Sequence, residues 1–497
     1  MARASCDMRT CFTLSAFLAF SVSGPVGAEA QTMEPSFAVI GEIEAFSLDT
    51  PANPVSGGKM TVSNLPITLP MSLLVTMPGK YSTPHDLFLD SSGTLQAASG
   101  LALSDPTPPR TAFEAEIIGN IVNGQYVAGV VRISQGALHS GAGFIQDIDY
   151  ATGEMRIGAK GGAAGARVRL NDTKGIYGLR NDEGAKASIA MDARFELDPE
   201  NSPVHAKTGF PVCIPRSDPQ AADDPKCPSA NRPVGANAYR FTCARSGEPA
   251  ASNDAPSHLC NPELPVPLRK DDYVTFLGNL QPDPAGGFLI SAYGLDAELG
   301  VYTSPGAEPV YLFVEEAIQG TKGEPFADIP QEETTRFRIV GFTTDPTRIV
   351  DVSIVDSDRG DIGFSFTGPA GLTPSNGPQL GRFRNTWPSK DNARAVRRDV
   401  KVTVIDSPRA GLPTGLTSGT YVAPISEYIY PEITQFGVPG YPSPVAFENF
   451  CFLLNAGGSF STSSGDVALA TPSPFPSSGH PLSQQIGAGP SRVCDGQ

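Results

Sequence analysis

Four short stretches of the chain are written in the same grammar. They read "FAVIGEI" at 37–43, "FEAEIIGNI" at 113–121, "YVTFLGNL" at 273–280 and "FRIVGFT" at 337–343. Each is rich in β-branched or aromatic residues, and each carries glycine at the same place: Gly41, Gly119, Gly278 and Gly341. A glycine inside a strand weakens it, so its use there marks a bulge, a sharp bend or a close approach of backbone. Small barrels need such corners to close. The last three words are each followed by a turn and a second strand-like run. "FEAEIIGNI-VNG-QYVAGVVRIS" predicts a hairpin tipped by Asn123-Gly124, a strong turn signal. "YVTFLGNL-QPDPAGG-FLISAYGL" and "FRIVGFT-TDPTR-IVDVSIVD" predict two more. The words are unequally spaced, which excludes a solenoid.

The remainder agrees with an all-β class. Runs such as "KMTVSNLPITLP", "ARVRL", "VYLFVEEAI" and "VKVTVID" alternate or stay apolar for a few residues, and no long helical stripe occurs. With 497 residues, two to four packed units are expected. The fold expected is several small barrel or sandwich units in tandem, with a disulfide-stapled irregular insertion. Its boundaries are read as an N-terminal β-domain at 31–200, a Cys/Pro-rich insertion at 201–266, a second β-domain at 267–365 and an aromatic-rich C-terminal β-domain at 366–497.

Residues 1–30 read as a signal peptide. Arg3 and Arg9 precede the apolar run "CFTLSAFLAFSV", and "VGAEA" offers cleavage after Ala28 or Ala30. The run is shorter than the roughly 20 residues a membrane span requires. A secreted or secretory-lumen location follows, and cysteine usage fits it. Beyond the leader lie Cys213, Cys227, Cys243, Cys260, Cys451 and Cys494, an even set that reads as disulfides. Sequence leaves all pairings open; the shortest loops give Cys213–Cys227, Cys243–Cys260 and Cys451–Cys494. Asn171-Asp-Thr173 is a glycosylation sequon. The formal charge of −16 argues against nucleic acid and anionic membrane as partners. The oligomeric state is not legible.

Familiar catalytic words are missing: no GxSxG elbow, HExxH helix, phosphate loop or dinucleotide fingerprint occurs. The five histidines are not spaced as metal ligands, so neither a metal nor a cofactor is expected. His139, in "GALHSGAGF", sits between strands, where a loop presents it either to a pocket or to nearby backbone. Glu114 with Glu116, and Asp147 with Asp149, share strand faces. Such pairs serve glycosidases when correctly spaced, and solvated surfaces otherwise. The densest aromatic stretch is 419–454. Tyr428 and Tyr430 share a face there and, with His139, are the candidate catalytic residues. Tyr421, Phe436 and Tyr441, together with Trp387 just upstream, are the candidate substrate-binding residues. The competing reading of these aromatics is core packing. The ligands implied are small apolar or aromatic molecules.

The segments "AGVVRISQ…GFIQDIDYATGEMRIG", "ARVRLND" and "EETTRFRIVGFTTDPTR" resemble a family of secreted, mostly fungal all-β proteins. Within that type the chain is similar to hetero-Diels–Alderases of tropolonic sesquiterpenoid biosynthesis. The resemblance implies a cofactor-free cycloaddition that joins a tropolone quinone methide to a humulene-type polyene. It identifies no catalytic residue. Such chemistry needs an apolar cavity that holds two partners face to face and a hydrogen-bond donor that polarises the carbonyl. The alternative is a non-catalytic secreted module that binds cell-wall glycan or protein.

Overall fold

At each of the four marked glycines a side chain would have no room. A Cβ at Gly119 would overlap the carbonyl oxygen of Val127, and one at Gly278 would lie 2.5 Å from that of Ser291. At Gly341 it would meet the Phe383 ring and the Phe313 carbonyl, and at Gly41 the Ser63 hydroxyl. The pairing register slips beside Gly119, Gly278 and Gly341, so these three are bulge positions in crossing strands; around Gly41 the pairing is regular, and the slip in its strand falls between Ile43 and Ala45.

The computed structural model describes residues 36–71, 73–122, 124–189, 191–320, 336–355, 362–365, 370–388, 399–407, 411–424, 427–429, 459–462 and 465–468. The first barrel consists of β1 (Ser36–Leu48), β2 (Gly58–Val62), β3 (Leu65–Leu69), β4 (Glu114–Val122) and β5 (Gln125–Ser134). Strand β1 serves two neighbours. Its first half pairs with β4, Phe37 opposite Gly119, and its second half with β2, Leu48 opposite Gly58. The spatial order is β3-β2-β1-β4-β5, and a parallel contact of β3 with β5 closes the ring. This is a Greek key with a fifth strand sealing it, the five-stranded barrel of the OB type. Closure removes the exposed edges. Ile43, Met60, Val62, Ile67, Ile117 and Val131 fill it.

A second barrel repeats the plan. Its strands are β6 (Ser140–Asp149), β7 (Glu154–Gly158) and β8 (Gly165–Leu170), then β10 (Tyr273–Pro282) and β11 (Phe288–Ala297); a short β9 (Val204–Ala206) lies alongside β11. The order is again third-second-first-fourth-fifth, closed by the parallel pair β8–β11. The hairpins expected at Gly124 and over 273–294 are β4–β5 and β10–β11. Gly124 takes φ 77°, as the two-residue turn demands. The expected boundaries at 200 and 266 do not delimit units: the second barrel takes three strands from before the Cys/Pro-rich segment and two from after it.

That segment, between β8 and β10, is anchored rather than loose. Disulfides Cys213–Cys227 and Cys243–Cys260 form as the short-loop pairing anticipated. Each closes a loop short enough to be worth about 3 kcal/mol by chain entropy. Arg232 and Asp272, both sealed from water, meet in a two-pronged ion pair at 2.5 and 2.6 Å. Arg232 also donates from Nε to the Ala238 carbonyl and from Nη1 to the Pro267 carbonyl, which helps to satisfy the buried cation. Cys451 and Cys494 lie outside the described residues.

The C-terminal strands form two four-stranded sheets. The first has the order β16-β13-β12-β19, and the second β15-β14-β17-β18. They comprise β12 (Leu312–Gly320), β13 (Arg336–Thr343), β14 (Val350–Val355), β15 (Ile362–Ser365), β16 (Arg382–Pro388), β17 (Asp399–Val404), β18 (Thr420–Pro424) and β19 (Glu427–Ile429). The third expected hairpin does not form, because β13 and β14 belong to different sheets. The turn between them is tied elsewhere. Buried Asp345 accepts the N–H groups of Gly306 (2.7 Å) and Thr347 (2.9 Å), and the Thr344 N–H reaches the Tyr311 carbonyl at 3.0 Å. These bonds carry the chain across from one sheet to the other.

Candidate functional site

A cleft of about 1030 Å³ opens where the two barrels and the C-terminal sheets meet. It is near the upper end of ligand-pocket sizes, and sites of this kind favour junctions between units. The two hairpins supply its walls. From the first barrel come Glu114, Glu116 and Arg132, all on β4–β5. From the second come Phe276, Leu277, Tyr293 and Leu295, on β10–β11. Phe313 of β12 and Tyr421 of β18 close the far side.

The Gly278 bulge shapes this site. Leu277 pairs with Gly294 and Gly278 with Ala292, so Tyr293 is the extra residue, and a bulge re-aims the side chain it carries. Tyr293 stands in the cleft wall, its ring 6.5 Å from Phe195, which in turn stacks on Phe113 at 5.1 Å. Burial, assisted by Glu114, pushes its phenol up to about 12 against hydrogen bonds with Ser134 and the Gln135 backbone, so it stays protonated.

On the opposite side His205, Phe313 and Tyr421 form a continuous aromatic wall. The imidazole lies 4.1 Å from the Phe313 ring, and Tyr421 meets Phe313 edge-on at 6.2 Å. Burial and then Asp198 raise the Tyr421 phenol above its ordinary range. His205 Nδ1 lies 2.8 Å from the Ala206 carbonyl, and burial lowers the ring's pKa against the pull of Asp296. The neutral ring is therefore favoured.

The charged residues are mostly engaged. Glu116 and Arg132 pair at 2.8 Å because hairpin register places them opposite each other. Glu114 accepts the Ala137 N–H at 3.2 Å, which ties down the link between the barrels. Asp296 binds Lys207. Glu114 and Glu116 do share the face expected of them, and it is the cleft face; Asp147 and Asp149 are not part of it.

The structure brings one predicted ligand residue, Tyr421, into the cleft. His139 lies just behind the wall, between the lining residues Ala137 and Ser140, and its Nε2 is sealed without a partner. Its carbonyl accepts the N–H of Gly278, so it anchors the bulge. Burial lowers its pKa, and Glu114 opposes the shift. Tyr428 and Trp387 lie on β19 and β16, their backbones opposite Gln319 and Phe337; their side chains are not among those described. Tyr430, Phe436 and Tyr441 lie outside the described residues. Sequence reasoning missed Tyr293, His205 and Phe313. The glycine word pointed to Tyr293 through the bulge, but nothing local marked His205, whose neighbours come from distant strands.

The sequon asparagine, Asn171, does not sit at the exposed turn expected of a glycosylation site. Its side chain is fully buried, and both amide hydrogens are donated, to the carbonyls of Asp192 (2.9 Å) and Phe195 (2.7 Å). A glycan on that nitrogen is incompatible with this packing. Among the described residues, no group of three or more metal-ligating side chains is placed to hold an ion, and no helix is long and apolar enough to cross a membrane. The two disulfides accord with folding in an oxidising compartment. Comparison with known protein families, curated proteins and solved structures finds no match.

Proposed function

We propose that this is a secreted protein that receives a small, largely apolar molecule in the inter-barrel cleft. The observation that carries the reading is the cleft itself: apolar walls of Met77, Phe276, Leu295 and Phe313, with the phenols of Tyr293 and Tyr421 as polar points. The signal-like first 30 residues and the disulfides support export.

The finer form of the proposal is catalytic. The space suits two apolar partners held together, as the hetero-Diels–Alder reaction of a quinone methide with a humulene-type polyene requires. A protonated phenol is the donor needed to polarise the quinone-methide carbonyl. The test mixes purified protein with a quinone-methide precursor and humulenol. A faster reaction with altered product stereochemistry, both lost in Tyr293→Phe with Tyr421→Phe, supports the enzyme. Rate and product ratio equal to the uncatalysed mixture remove it.

One observation favours the non-catalytic reading. Ile40 and Leu277 at the cleft are 71% and 45% exposed, an apolar rim of the kind a protein partner covers. Capture of a partner that Ile40→Asp abolishes, without any cyclisation activity, decides for it.

A further inference from the structure

Two histidines stand at the cleft, and they differ in what their second nitrogen meets. Nε2 of His139 is sealed and unpartnered. His205 is only 5% exposed, yet it lines the cleft, and its Nε2 is not sealed. The tautomer of His205 follows from its one protein hydrogen bond. The Ala206 carbonyl can only accept, so Nδ1 carries the proton and Nε2 keeps the lone pair. Among the described residues no protein donor reaches Nε2. The neighbouring carboxylate does not compete for a ligand: one oxygen of Asp296 holds Lys207 and the other is buried. A buried, neutral acceptor therefore stands at the cleft beside the rings of Phe313 and Tyr421.

We propose that the cleft selects planar molecules bearing a phenolic or enolic hydroxyl, which donates to His205 Nε2 while the ring packs against Phe313 and Tyr421. This rests on the reading of the cleft as a small-molecule site. The proton remains on the ligand; His205 is the specificity-determining contact. Burial of the imidazole supports the assignment, since it keeps the ring an acceptor.

The test uses 2-naphthol and its methyl ether, 2-methoxynaphthalene, titrated against the intact protein by fluorescence. One neutral hydrogen bond predicts about 3- to 10-fold tighter binding of the naphthol. His205→Asn retains an amide donor near the Nδ1 position and withdraws the acceptor, so it brings the ratio of naphthol to ether affinity to about one, whatever the loss of the ring does to both probes alike. His205→Gln, which returns an acceptor near the Nε2 position, restores part of it. Equal affinities in the unmodified protein, or a preference that survives His205→Asn, overturn this inference and leave the cleft reading standing. If neither probe binds, the cleft reading falls and this one with it. The ratio of the two affinities in the unmodified protein decides the donor claim even where a variant fails to fold.

Discussion

The two barrels share one topology and differ in what is hung on it. In the first, the residue bulged out opposite Gly119 is Gly129, and the connection between third and fourth strands, 70–113, carries no disulfide. In the second, the residue bulged out opposite Gly278 is Tyr293, and the connection spans 171–272 with two disulfides. The same closure thus yields a mainly structural shell once and a furnished one the second time. The long connection brings His205 to the cleft, and the bulge brings Tyr293. Chemistry has been added where the barrel tolerates additions, at a bulge and in a loop, while the ring of strands is unchanged.

Several substitutions test that contrast. The largest effect is expected where the barrels are alike. Gly119→Ala and Gly278→Ala each force a methyl group onto a neighbouring carbonyl, and each should cost about 3 kcal/mol or more in chemical denaturation. A marked loss in only one of them would break the equivalence.

Next comes the connection. Replacing Cys213 and Cys227 together by alanine should cost about 3 kcal/mol, as should Cys243 with Cys260. Hydrogen exchange should rise in the second barrel and its insertion and hardly in the first. Uniform loosening of both barrels would show that the staple supports the whole molecule.

Tyr293→Phe sharpens the bulge comparison. It removes the phenol and keeps the ring, so stability should fall by about 1 kcal/mol while binding of a hydrogen-bond-accepting ligand such as tropone weakens several-fold. Unchanged tropone affinity would deny Tyr293 its donor role.

The smallest effect is a pH dependence at the base of the insertion. Burial raises Asp198 to about 6, above its unfolded value. In the window between about 4 and 6 the folded protein then holds a proton the unfolded chain has released. This contribution is present at low pH and is lost as pH rises through 6. Because the residue is only half-buried, about 1 kcal/mol is expected. Asp198→Asn should flatten that part of the stability profile. An identical profile in both proteins would remove Asp198 as its source.

The strand words show how far local reading reaches. Gly119 and Gly278 were legible because a missing side chain records a neighbour's backbone, and both hairpins followed. Gly341 marked a bulge equally well, yet the hairpin after it failed: the Asp345 turn is bound to Gly306 and Tyr311, which no local pattern reveals. The same limit hid the boundaries of the second barrel, whose third and fourth strands are separated by a hundred-residue connection. Asn171 failed in the opposite sense, as a surface motif that packing turned inward.

The residues alone specify the pleated class and the bends at Gly119, Gly278 and Gly341, and they offer the short-loop disulfides of the insertion as the shortest of the pairings left open. These depend on alternation, on absent side chains and on loop length, all of which are set within a few residues or a single short loop. That the strands close twice in one order, and that His205, Tyr293, Phe313 and Tyr421 line one cleft, emerges from the assembled fold. Those positions come from four separate strands, and their meeting depends on pairing energies summed over the whole chain, which no single stretch contains.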